Sequence, residues 1–177
     1  DSPLQCVPLI ALDGAAIEPE SELTVPGVAV LGVDARFWQL GRSPIDVPLE
    51  GRTVAVNRAM AKAMELRVGQ RMLLRVPRAI SGQSATLFGR REIDDTVQEF
   101  SVTVGRIIDE SDLGRFSLRS DRPRPRNVYV SLPWLADQLG VKNKVNTLLV
   151  AGGESSADPR EAAAQLTALF GRAATLR

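Results

Sequence analysis

Gly51-Arg52-Thr53-Val54-Ala55-Val56-Asn57-Arg58-Ala59-Met60-Ala61, continued by Lys62 to Val76, is the stretch that decides the fold class. Gly51 to Val56 reads as a short strand, β-branched at Thr53, Val54 and Val56. Asn57 then supplies a side-chain oxygen for the first free amides of a helix, predicted to run to Leu66. Met60, Ala63 and Met64 fall at i, i+3 and i+4 and give that helix one apolar stripe, with Arg58, Lys62 and Glu65 looking outward. Val68-Gly69-Gln70 makes the turn, and Arg71 to Val76 is a second strand closed by Pro77.

A similar plan recurs downstream. Asn127 to Ser131 reads as a strand, Pro133 opens a helix carrying Trp134, Leu135 and Leu139 and ending at Gly140, and Val145 to Ala151 is a strand. Between the blocks, Glu99 to Ile108 alternates Phe100, Val102 and Val104 with Ser101, Thr103 and Gly105, the period of a half-buried strand. Upstream, Val28 to Val33 is a buried strand bounded by Pro26-Gly27, followed by a short helical turn capped by Asp34 and stopped at Gly41. Residues 1–25 read as one short strand, Val7 to Leu12, and then a polar loop. Asp158-Pro159-Arg160-Glu161 begins a final helix with apolar residues Ala162, Leu166, Leu169 and Phe170. The predicted class is α+β, a mixed sheet built from βαβ-like units, in one domain over 1–177 with an inserted loop or small subdomain over 77–126.

The titratable residues narrow the chemistry. The chain of 177 residues has no histidine and one cysteine. Serine–histidine and cysteine–histidine nucleophilic sites, and zinc sites of the Cys/His type, therefore cannot be built from it. Cys6 reads as a buried or incidental thiol. Arginine outnumbers lysine by 19 to three, and arginine does not act as a base. A serine–lysine hydrolase would have to use one of Lys62, Lys142 or Lys144, none beside an evident serine nucleophile. The expectation is a protein that is not an enzyme and carries no catalytic, cofactor-binding or metal residues.

Neither phosphate-loop nor calcium-loop patterns are met. Gly82 to Gly89 lacks the glycine-lysine-serine/threonine ending of a Walker loop. Asp109 to Gly114 would need an oxygen ligand where Leu113 stands and a glutamate at Ser120, so it reads as a solvated turn.

A net charge of +1 conceals an asymmetry: residues 1–50 carry a net −6 and residues 51–126 a net +6. Arg115, Arg119, Arg122, Arg124 and Arg126 form the densest cluster, offset by Asp121. Phosphate contacts to nucleic acid are disfavoured by the near-zero total charge and the single aromatic, Phe116, in that run. Candidate contacts to an anionic partner are Arg90, Arg91, Arg122, Arg124 and Arg126; the alternative reading is a free-standing module that binds an anionic ligand through the arginine-rich loop.

Val30-Leu31-Gly32-Val33-Asp34-Ala35-Arg36-Phe37-Trp38 resembles the V-x-G-V-D-x-x-F-W/F segment of bacterial ABC transporter permeases of the FtsX/MacB type. Gly51 to Ala61 with Val68-Gly69-Gln70-Arg71 is similar to that family's strand, helix and V-G-D turn, except that Gln70 replaces the acidic residue. Asp109 to Leu118 and Asn127 to Leu135 look like later landmarks, in order, so the resemblance covers about residues 25–151. It implies a MacB-like periplasmic core lying outside the cytoplasmic membrane between two membrane helices. The implied partners are a cytoplasmic ATPase subunit or domain, a second permease copy or paralogue, and an extracytoplasmic substrate or partner protein. No run approaches the ~18 apolar residues of a membrane span, and the opening Asp1-Ser2-Pro3 predicts a piece of a longer protein.

Overall fold

The computed structural model describes residues 5–21, 23–41, 44–77, 97–119 and 124–151. Two compact units divide the chain: Val7–Leu149, and Asp1–Cys6 together with Val150–Arg177. Of the second, only Gln5, Cys6, Val150 and Ala151 are among the described residues. The helix expected from Asp158 lies outside them.

The strands are β1 (Gln5–Ile17), β2 (Thr24–Val33), β3 (Thr53–Asn57), β4 (Arg71–Pro77), β5 (Val97–Ile108), β6 (Arg126–Ser131) and β7 (Thr147–Ala151). A 3-10 turn (Phe37–Leu40) and helices α1 (Arg58–Ala63) and α2 (Leu132–Gln138) connect them. The sheet order is β2-β6-β3-β5-β4-β1-β7, and β1 pairs with β2 as well. The first six strands therefore close into a ring. Parallel pairs β2–β6 and β3–β5 alternate with antiparallel pairs, so the sheet is mixed.

The βαβ expectation fails. Because β3 runs parallel to β5 and β5 antiparallel to β4, β3 and β4 run in opposite directions with β5 between them. Helix α1 spans only Arg58–Ala63, and the chain returns in β4 beside β5 instead of crossing over to run parallel to β3. In the second block β6 sits between β2 and β3, while β7 adjoins β1. Within residues 77–126, β5 occupies the middle of the sheet, and 78–96 and 120–123 lie outside the described residues.

The polar loop expected after Leu12 is strand instead. β1 continues to Ile17, since Ala15–Ile17 pair with β2 on one side and β4 on the other. A turn with Glu18 N donating to Leu23 O (3.0 Å) joins it to β2. Pro26-Gly27 does not bound β2 but forms a bulge within it: Gly14 faces Val28 and Ala15 faces Pro26, so Gly27 is the extra residue of the bulge, at φ +67°. A left-handed glycine is what such a bulge requires. Opposite it, β1 passes so near β4 that a Cβ on Gly14 would stand 2.5 Å from the Arg75 carbonyl oxygen. Gly14→Ala is expected to lower stability by about 1–3 kcal/mol, the usual range for overpacking, as read by a lower urea midpoint at unchanged slope.

Apolar side chains pack on both faces of β2, β6 and β3. One cluster holds Val28, Val30, Val54, Val56, Val128 and Val130, with Met60 and Met64 from the α1 region and Leu135 from α2. The other holds Leu31, Val33, Ala55 and Tyr129 from the opposite faces, covered by Phe37, Trp38 and Val47. Strands buried on both sides read as continuous apolar runs, and Val28 to Val33 does. Helix α1 is shorter than the sequence predicts: it ends at Ala63, Glu65 turns left-handed at φ 51°, and Leu66 N returns to Ala61 O at 2.8 Å. Asp34 does not cap the 3-10 turn with its side chain; its Oδ1 accepts from Arg36 N (3.0 Å), while its carbonyl accepts from Phe37 N (3.1 Å).

Candidate functional site: a basic recess at the mouth of β6

The arginine cluster separates in space. Arg115 pairs with Glu110 (2.9 Å) and Arg119 with Asp13 (2.9 Å), which neutralises two of its members. Arg124 and Arg126 instead line a recess of about 490 Å³ with Arg58, Lys62 and Glu110. Arg90, Arg91 and Arg122 lie outside the described residues. Arg58 and Lys62 had been assigned only to the outer face of α1, where each is exposed; their proximity to Arg124 and Arg126 is set by the pairing of β3 with β6 and was hidden from the sequence.

One buried side chain presents this surface. Asn57, 2% exposed, ends β3 and opens α1. Its Oδ1 accepts from Met60 N (2.9 Å), the predicted helix cap, and also from Asn127 N (3.0 Å). Its Nδ2 donates to Gly114 O and Pro125 O, both at 2.7 Å. All four hydrogen-bonding positions of the amide are filled. Asn57 thus grips the backbone on both sides of Arg126, at Pro125 and Asn127, and fixes where Arg124 and Arg126 emerge. Arg126 adds a bond from its guanidinium to Pro26 O at 3.3 Å.

A second buried pair extends the clasp. Asn127 Nδ2 donates to Phe116 O (2.7 Å) and to the Tyr129 hydroxyl (2.9 Å), which in turn donates to Leu113 O (2.8 Å). The connection from β5 to β6 is held by its carbonyls, a network the sequence does not advertise. Burial pushes the Tyr129 phenol well above its ordinary range, only partly offset by the Asn127 hydrogen bond. A group whose pKa is raised on folding contributes stability below its unfolded pKa and loses it as pH climbs above. The wild type is therefore expected to lose stability above about pH 10, more steeply than Tyr129→Phe, in urea titrations across pH 8–11.

Asp109 and Glu110 are exposed, as a solvated turn requires, and the segment Glu110–Gly114 is a single wide helical turn. Asp109 Oδ1 accepts from Arg58 Nε at 2.7 Å. Among the described residues no group of three or more His, Cys, Asp or Glu side chains could hold a metal ion, and no helix is long and apolar enough to cross a membrane. Cys6 is exposed, not buried: the apolar contacts of β1 are made by its neighbours from Val7 onward.

No protein-family model matches the sequence, and no curated protein matches it. Among solved structures, the periplasmic region of MacB from Actinobacillus actinomycetemcomitans aligns over 96% of this chain and 67% of that one, with a TM-score of 0.54 and 12% identity. The fold is similar to that of the MacB periplasmic region. The mixed sheet with few helices is shared at a level where side chains have diverged almost completely, so the likeness speaks to architecture.

Proposed function

We propose that this chain is a non-catalytic extracytoplasmic domain of an FtsX/MacB-type ABC transporter permease. In that role it couples cytoplasmic ATP hydrolysis to movement of a substrate or partner outside the membrane. The carrying observation is the alignment with the periplasmic region of MacB across 96% of the chain. The ordered resemblance of Val30–Trp38, Gly51–Arg71 and Asn127–Leu135 to permease landmarks supports the same reading. The packing agrees with a part that transmits force. Apolar clusters fill both faces of β2, β6 and β3, and interiors packed at crystal-like density pass displacement on with little compression. The partners in this reading are a cytoplasmic ATPase subunit or domain and a second permease copy or paralogue. The location is the cytoplasmic membrane, with this domain on its outer side.

Cys6 provides the test, being exposed and the sole cysteine of these 177 residues. Intact cells expressing the full-length gene are treated with a membrane-impermeant maleimide, and modification is read at the Cys6 peptide by mass spectrometry. Modification before lysis is the expected result, with Cys6→Ser as the blank. Modification that requires lysis would place the domain inside and overturn the proposal.

A further inference from the structure

We propose that the recess between α1 and the start of β6 binds an acidic protein segment whose carboxylates recur at alternate positions. This goes beyond the transporter reading and stands on the recess alone. Four cations, Arg58, Lys62, Arg124 and Arg126, face one carboxylate, Glu110. Arg58 is engaged by Asp109 and Glu110 by Arg115, so the surplus positive charge rests on the other three cations. Neither Lys62 nor Arg124 has an ion-pair partner among the described residues. Unpaired like charges gathered on one surface repel each other, and an incoming anion relieves that repulsion.

Spacing selects the kind of anion. Arg58 and Lys62 are i, i+4 on α1, with Cβ atoms about 5–6 Å apart. Arg124 and Arg126 are i, i+2 on either side of Pro125, Arg124 lying just outside β6 and held extended by the proline that follows it, so about 6.6 Å apart. Two facing pairs across about 490 Å³ are a multipoint surface, too wide for one phosphate group to bridge. An extended segment places every second side chain on one face at that same ~6.6 Å repeat. Arginine forks suit carboxylates, and Asn57 holds the backbone around Arg126 in place beforehand, which reduces the ordering cost of binding.

The test uses the full 177-residue chain and a fluorescein-labelled peptide alternating aspartate with serine over eight residues, followed by anisotropy at low salt. The wild type is expected to bind, more weakly as salt rises. Lys62→Glu with Arg124→Glu is expected to lose at least tenfold in affinity, and Lys142→Glu with Lys144→Glu, an equal charge change just beyond α2, to lose less than twofold. Circular dichroism of each variant separates lost binding from lost fold. Equal losses in the recess and Lys142/Lys144 variants would overturn the proposal in favour of bulk charge. Competition by inorganic phosphate, or by vesicles containing phosphatidylglycerol, at concentrations where glutamate monomer has no effect would overturn it in favour of a phosphate site. A peptide with its four aspartates in one block binding as well as the alternating one would remove the spacing argument and the proposal with it.

Discussion

Asn57→Ala is expected to unfold about 3–5 kcal/mol more easily than the wild type, the largest loss of any polar substitution among the described residues. Truncation strands four backbone groups: Met60 N, Asn127 N, Gly114 O and Pro125 O. Each buried polar group left without a partner costs about 1–3 kcal/mol, less where water can enter the space vacated. The helix cap alone accounts for about 1 kcal/mol of the total. Two further variants divide the effect. Asn57→Ser keeps an acceptor for Met60 N and should recover only the capping part. Asn57→Asp keeps the acceptors but loses both amide donors, placing a carboxylate against the Gly114 and Pro125 carbonyls, and is expected to be about as damaging as alanine at neutral pH. Urea unfolding of the three, compared at a common slope, checks the ranking. A loss near 1 kcal/mol for Asn57→Ala would mean that only the cap matters and that the clasp on residues 113–127 does not hold.

Trp38→Ala is expected to cost a similar 3–5 kcal/mol for a different reason, the cavity left in an apolar layer. Aromatics are only 5% of the chain, yet four of them meet here. Trp38 is 1% exposed, with its ring 5.0 Å from Tyr129 and 5.1 Å from Phe37, and Phe37 stands edge-on to Phe116 at 5.0 Å. Tilted and edge-to-face contacts of this kind add about 0.5–1.5 kcal/mol each beyond area burial. The 34–49 segment covers the outer face of β2, β6 and β3 chiefly through Phe37, Trp38 and Val47. Losing the largest of them should loosen that cover before the ring opens. Trp38→Phe is expected to retain more than half of the stability that alanine loses. Unfolding followed by circular dichroism serves for both, with Trp134 remaining as a fluorescence reporter on the other side of the sheet, beside Phe100 at 5.6 Å. A loss below 1 kcal/mol for Trp38→Ala would contradict the burial of this ring.

The parts of the fold written in local chemistry were readable in advance. Asn57 followed by a helix and the alternation of Val102 and Val104 in β5 each depend on neighbours a few residues away, and the structure has them where they were expected. The end of β1 was not readable, because Asp13-Gly14-Ala15-Ala16 carries no apolar alternation. Its extended state comes from backbone pairing with β2 across a short turn and with β4, a strand far along the chain. The insertion of β5 between β3 and β4 is non-local in the same way, and it turned an apparent βαβ unit into an antiparallel relation. At the recess, the five arginines from Arg115 to Arg126 look alike in the sequence. Partners at Glu110 and Asp13 separate Arg115 and Arg119 from Arg124 and Arg126, and α1 supplies two cations from elsewhere in the chain. Asn127 and Tyr129 gave no warning at all, since their bonds go to carbonyls that any residue offers.

The central claim is that this domain works by moving under the drive of an ATPase across the membrane. It is tested most directly by isolating the full-length protein from membranes in mild detergent and measuring ATP turnover by the isolated assembly. The account predicts an ATPase, fused or as a separate subunit, and turnover that vanadate abolishes. A full-length protein that comes out of the cell with no ATPase and no vanadate-sensitive turnover would contradict it.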